Sequence, residues 1–400
     1  MANTTWNIWN DNDGEREAPR EKPPLLRTIL TVLLVLVVVL GAVTMVSYRD
    51  GTGFDVLRRY LNYGRAEKAS GETLYVYDAS AENRFALLED YLVVLSETKL
   101  RILDASGGEV WSEGVKMDAP MLVSGGDYVA AYDVGGTELY VLDSLGELMT
   151  LEMNEEEPIL SARLNNNGWL AVTSKKSGYK CGVRVYNDQM QEVYAFNSSQ
   201  RFLSDAYVTD DNKALAAVTL GQKNSVFVSN VVLYDLKKAG HDPEHLTEYS
   251  IEDGLLLEFG QQGDRLMAVT DTGLSFADTN GDNRVFYAYG EDYLRDYAPY
   301  GEDFSVLLLN RYRSGSVGRL VTVAADGTQI ASLDVNSEVL SVSASGRYIA
   351  VLYADRLVVY NRDLQVYASL RGTDYAREAL MRPDGSVLLV SAESAELFLP

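Results

Sequence analysis

The stretch YIAVLYADRLVVYNRDLQVYASL, residues 348–370, repeats the grammar of YLVVLSETKLRILDASGGEVWS, residues 91–112, far upstream. Each reads as an apolar run, a polar turn, an alternating run ending in Tyr-Asn or Leu-Asp, a second turn and a third alternating run. Period-two alternation broken at Gly, Asn and Asp is the signature of antiparallel strands joined by hairpins. Further copies begin near residues 127, 168, 214, 265, 318 and 386. Ahead of the apolar run lies one more short strand, as in EVLSVSAS (338–345) and PILSARLN (158–165), so a complete copy holds four strands. Copies recur roughly every 35 to 50 residues, which suits the four-stranded blade of a β-propeller and is too long for a leucine-rich or ankyrin repeat.

A blade of this kind cannot bury both of its faces alone. Radial stacking against two neighbours buries them, and closing the ring leaves only short protected edges. The last copy, SVLLVSAESAELFLP from 386, has three strands before Pro400, whereas ETLYVYDAS (72–80) is a strand without an upstream partner. The sequence therefore predicts an all-β, eight-bladed propeller, with seven blades as the alternative. It predicts closure by pairing of residues 72–79 with the strand around Glu396 to Leu399.

Ahead of the ring, TILTVLLVLVVVLGAVTMVS (28–47) carries no charge and is bounded by Arg27 and Arg49. At about 1.5 Å per residue it reaches about 30 Å, the thickness of a bilayer's hydrocarbon core, and it has no polar face. The expected organisation is a polar tail (1–27), a transmembrane helix (28–47), a juxtamembrane linker or interfacial helix (48–71) and a propeller (72–400). Basic residues flank the span evenly, so the short Pro-containing tail decides the orientation, with the propeller outside the cytoplasm in the cell envelope. In FDVLRRYLNYGRAEK, Phe54, Leu57 and Leu61 share a helical face and Arg58, Arg59 and Arg65 lie elsewhere, which suits a helix in the lipid interface with its basic groups on anionic headgroups.

The formal net charge is −23, from 35 basic and 58 acidic side chains. Such a surface repels phosphate backbones, so no nucleic-acid partner is expected. Cys181 is the only cysteine, which rules out an intramolecular disulfide and a cysteine-type zinc site. His241 and His245 are the only histidines and both lie in GHDPEH (240–245, within the longest insertion), where Pro243 breaks any helix that would align them. A solvated hairpin tip is expected there, with no metal bound and no histidine-based nucleophilic catalysis.

The segments YDVGG (132–136), LAVTSKKSGYKCGVRVYN (170–187) and LAAVTLGQKNSVFVSNVVLYDL (215–236) resemble an uncharacterised family of single-pass, membrane-anchored propeller proteins of Gram-positive anaerobic bacteria. The resemblance implies a membrane-tethered extracytoplasmic propeller and brings no assigned activity with it. LDASGGEVW (103–111) is more distantly similar to the tail of the quinoprotein-type repeat, in which a Trp docks between blades. Trp111 is its one instance here, and the turn is one residue short.

DTNGDN (278–283) begins like a calcium loop, but its glycine comes fourth and no glutamate closes it. Asn280-Gly281 between two alternating runs reads better as a type I′ hairpin turn. The densest aromatic region is VFYAYGEDYLRDYAPYGEDF (285–304). Tyrosine brings rigid contact area with a hydrogen-bonding tip, and carboxylates beside it suit a cationic partner. Tyr293, Tyr297, Tyr300, Asp292 and Asp296 are the candidate binding residues, on what reads as a loop over the ring. No glycine-rich phosphate cradle is present, and no cofactor or catalytic residue is assigned. The function expected is a non-catalytic binding or scaffold module, with the lipid bilayer through residues 28–47 and an envelope protein or cell-wall component as partners. The alternative is a propeller enzyme, glycan-cleaving or lactone-opening, working through carboxylates or calcium.

Overall fold

The computed structural model describes residues 25–47, 53–63, 73–223, 226–238, 240–251 and 254–400. They fall into two compact units, residues 1–57 and 58–400. The first contains helix α1 (Leu25–Ser47) and the start of helix α2 (Gly53–Tyr63); the second contains the rest. The expected membrane-crossing helix is not shown. Side chains of α1 are described over residues 29–41, and among the described residues no helix is long and apolar enough to cross a membrane.

Residues 73–400 form eight sheets, which we number as blades in chain order: 84–114, 120–152, 159–198, 203–250, 256–288, 293–335, 339–371, and 378–398 joined by Thr73–Val76. Within a blade the strands run antiparallel from the inner one to the outer one. The second and third strands are mostly apolar because both of their faces are sandwiched; Tyr348–Tyr353 is buried at every position. The outer strand Val366–Arg371 alternates between exposed and half-buried residues, as expected at the periphery.

The core follows the same logic. Every hydrophobic cluster is shared by two consecutive blades: Val93, Ile102, Val129 and Leu142 join blades 1 and 2, and Phe304, Leu320, Ile349 and Val351 join blades 6 and 7. One cluster joins the two ends of the chain, packing Tyr75, Leu92 and Val94 against Leu388 and Leu397. Burying each such side chain contributes about 1.5–3 kcal/mol, so no blade is stable without its neighbours. Closure is as the sequence predicts: Thr73 pairs with Glu396 and Val76 with Ser394. The Tyr77 hydroxyl adds hydrogen bonds to the carbonyls of Ser394 (2.6 Å) and Ser391 (3.1 Å).

The Asp or Asn at the end of several third strands has a specific task. In blade 7 the Asn361 side chain accepts from the backbone N–H of Asp363 (3.1 Å) and Gln365 (2.9 Å), and Asn187 and Asp104 do the same in blades 3 and 1. This Asx turn fixes the hairpin to the outer strand. At 278–283 a different turn replaces the type I′ turn expected from Asn280-Gly281: Asp278 Oδ2 accepts from Asn283 Nδ2 (2.6 Å) and Asn280 Oδ1 from the Asp282 N–H (3.0 Å). The Gly281 N–H reaches the Asp278 carbonyl (2.8 Å), and Gly281 (φ +85°) and Asn283 (φ +48°) are left-handed while Asn280 is not, where I′ requires Asn280 and Gly281 together. Trp111 sits between blades 1 and 2, against Gly146 and the shared cluster.

Two other expectations are corrected. The GHDPEH insertion does not form a free tip: Gly240–His241 pairs in parallel with Phe196 and Asn197, adding a fifth strand to blade 3, and Asp242 accepts from the Ser199 N–H (2.8 Å). Arg59 does not face outward to headgroups. It is 1% exposed, donating to the Asp384 carbonyl (2.6 Å) and the Tyr367 hydroxyl (3.1 Å). Gly385 leaves room for it, since a Cβ there would lie 2.8 Å from Nη1. Positions 59 and 63 are one helical turn apart, so Tyr63 follows onto the ring and accepts from Arg382 (2.6 Å).

Candidate functional site

Because strands alternate in direction, turns from inner to second and third to outer strands lie on one rim, here called the lower. Connections between second and third strands and between blades lie on the other, the upper rim. The inner strands line the central channel. In blades 3 to 7 each inner strand carries a β-bulge immediately before one polar residue: Ser161, Asp205, Glu258, Asp296 and Ser341. A bulge twists the strand and re-aims the side chains beside it.

These polar groups are used to connect blades. Arg163 Nε donates to Asp205 Oδ2 (2.8 Å), its Nη1 donates to Glu258, and the Tyr300 hydroxyl donates to Glu258 Oε1 (2.9 Å). Blades 3, 4, 5 and 6 thus meet at one guanidinium. Burial works against the Arg163 charge, but Asp205 and Glu258 outweigh it and hold its pKa well above the ordinary arginine value. Tyr300 is half exposed at the end of the inner strand yet closely surrounded by protein, and burial with Glu258 beside it raises its pKa far above the usual tyrosine range. Asp296 Oδ2 accepts from the Val342 N–H (2.9 Å) of blade 7, Ser341 Oγ from the Ala379 N–H (3.2 Å) and Ser343 Oγ from the Met381 N–H (3.0 Å) of blade 8. Burial raises the pKa of Asp296 and that of Glu378, the latter with further help from the Asp296 charge.

The five candidate residues are therefore on the inner strand of blade 6 and at its two ends, and the loop expected there is a strand, Tyr293–Ala298. Asp296 and Tyr300 serve the inter-blade connections. Tyr297 is half-buried beside them, its hydroxyl pushed up to about 12 by burial and by Glu258. Asp292 and Tyr293 lie on the upper rim, in a cleft of about 1190 Å³ lined also by Leu257, Asp271, Glu291 and Tyr312. There Arg319 Nε donates to Asp292 Oδ2 (2.8 Å), and the Arg313 guanidinium lies 5.4 Å from the centre of the Tyr293 ring.

Sequence reasoning missed Arg163, Asp205 and Glu258. The signal was a polar residue interrupting the inner strand at the same place in successive copies, as in LSARL, LSDAYV and LLEFG.

The model of a family of unknown function, DUF5711, matches residues 63–377. The chain is a member of the DUF5711 family. The match covers most of the ring and leaves residues 1–62 outside it, so it carries neither a membrane anchor nor a bacterial source. A comparison of this DUF5711 chain with curated proteins found no match. Among solved structures, the C-terminal WD40 domain of Sif2 is similar at 13% identity, over 82% of this chain and 98% of that one, with a TM-score of 0.57. A chain of the mitotic checkpoint complex aligns over 70% of this chain and 89% of its own at 13% identity, with a TM-score of 0.45. The first likeness shows a WD40-like propeller fold and nothing about activity.

Proposed function

We propose that this chain is a binding or scaffold module, tethered to the cytoplasmic membrane by α1 and presenting its ring outside the cell to another envelope protein or to the cell wall. The observation that carries the binding half is how the ring's charges are used. Channel groups are spent on one another and on neighbouring backbone, which makes the channel a strut, whereas exposed Tyr293, Tyr312 and Arg313 stand on the upper rim around open clefts. Exposed aromatic and arginine side chains around concave surfaces are what recognition of a partner uses.

The tether is supported by the uncharged run 28–47 and by its exposure, since every large apolar side chain from Ile29 to Leu40 is more than half exposed. A helix apolar on all sides is at home in lipid.

Affinity capture of the full-length chain from detergent extracts should recover a partner in stoichiometric amount, and exhaustive chelation should leave its melting temperature unchanged. A fall of many degrees on chelation would point to metal-dependent chemistry and overturn the binding reading. Protease added to intact cells should digest the ring, and its survival would overturn the external location.

A further inference from the structure

Next to the Tyr293 cleft, a second cavity of about 460 Å³ opens on the upper rim between blades 6 and 7. Its position follows from the bulge pattern. The bulged residue of the inner strand is Leu160, Ser204, Leu257 and Leu340 in blades 3, 4, 5 and 7, but in blade 6 it is Arg295. Arg295 lines this cavity together with Arg313. Acidic side chains outnumber basic ones 58 to 35 in the chain, yet among the described residues neither arginine has a hydrogen bond or ion pair with a protein group. Arg313 lies over the face of Tyr293.

The rest of the lining is hydroxylic, with Ser314, Ser316 and Ser337, and has one carboxylate, Glu338. The loop bearing Arg313 is held in place by Asn310 Nδ2 donating to the Gly315 carbonyl (2.9 Å) and by the Arg311 N–H donating to the Val317 carbonyl (3.0 Å). Leu308 and Val335 border the cavity from the core shared by blades 6 and 7, where both are buried. Two guanidinium forks with unspent donors suit a planar carboxylate. Glu338 disfavours a compact polyanion but accepts from hydroxyl groups, and the serines bond hydroxyls in either sense. The volume lies in the range of about 300–1,000 Å³ typical of small-ligand sites, enough for one or two sugar rings.

We propose that this cavity binds a carboxylate-bearing saccharide, its carboxylate on Arg295 and Arg313 and its hydroxyls on Glu338 and the three serines. The assignment rests on reading the chain as a binding module and names a ligand class for that module.

The test is calorimetric titration of the full-length chain with a uronic-acid disaccharide, with the neutral disaccharide of the same linkage, and with inorganic phosphate. The uronide should bind at least about 10-fold more tightly than either control. Arg295→Gln and Arg313→Gln should each weaken it about 10- to 100-fold, as expected for hydrogen bonds to a charged group, with no change in denaturation midpoint. Equal binding of the neutral sugar, tighter binding of phosphate, or undiminished affinity in both variants would overturn the proposal. No uronide binding by a chain that still captures its partner overturns this ligand and leaves the binding reading standing, whereas failure of both overturns both.

Discussion

Arginine is used in opposite ways at two places on this ring. At the seam where blade 8 closes on blade 1, Arg382 donates to the Tyr63 hydroxyl (2.6 Å), the Tyr75 hydroxyl (3.2 Å) and the Asp90 carbonyl (3.3 Å), and buried Arg59 is held by the Asp384 carbonyl. On the upper rim of blade 6, Arg295 and Arg313 are exposed and have no hydrogen-bonded protein partner among the described residues. Solvation explains the contrast. A buried guanidinium needs protein acceptors, which Arg59 and Arg382 find for their terminal nitrogens and not for Nε, so its loss leaves orphaned acceptors; an exposed one is satisfied by water, which a ligand can displace. Arginine therefore stabilises the fold at the seam and is available for recognition on blade 6.

The strongest test of the seam removes it. A chain beginning at residue 78 lacks the closing strand, exposes the edge Ser394–Phe398 and strips Tyr75 and Tyr77 from their cluster. It should lose about 5 kcal/mol or more and self-associate on size-exclusion chromatography. A monomer with the full-length denaturation midpoint would break the seam half of the comparison.

Arg382→Met should cost about 3 kcal/mol and Arg59→Met about 2 kcal/mol in chemical denaturation, because each leaves buried oxygens without a donor. A loss below about 0.5 kcal/mol in either would place that arginine with those of blade 6.

Glu378 sharpens the comparison as a third case, a half-buried carboxyl without a hydrogen bond among the described residues. Its folded pKa is raised, first by burial and then by Asp296, so the folded chain binds the proton more tightly than the unfolded one. Its contribution to stability is thus greatest below the ordinary carboxylate range and is lost as pH rises through the folded value. Glu378→Gln should raise the denaturation midpoint at neutral pH, with the gain vanishing on acidification to about pH 4, near the unperturbed value. A variant less stable at neutral pH would refute this sign.

The smallest effect belongs to the upper rim. Arg295→Gln and Arg313→Gln should each change stability by less than about 0.5 kcal/mol. A larger loss would mean that these side chains also support the ring.

The architecture was legible because eight blades repeat one burial problem. Every second and third strand is sandwiched, so apolar runs such as Tyr348–Tyr353 recur with hairpin residues between them. The candidate site was only half legible. Tyr293–Ala298 was read as a loop because inner strands face a wet channel and carry Arg295, Asp296 and Tyr297 in place of an apolar run. The i, i+4 spacing put Arg59 and Tyr63 on one face of α2, but no spacing reveals whether that face meets lipid or protein. Asn280-Gly281 was a hairpin signal of the wrong type because the Asp278 side chain and loop length decide the turn.

By itself the sequence determined the blade, the number of blades and the strand that closes the ring, because periodic burial is written in residue order. Tertiary structure alone decided which charges meet. Arg163 finds Asp205 and Glu258 from three different blades, and Arg295 and Arg313 share a cavity with Glu338, because such encounters depend on the curvature of the ring and not on distance along the chain.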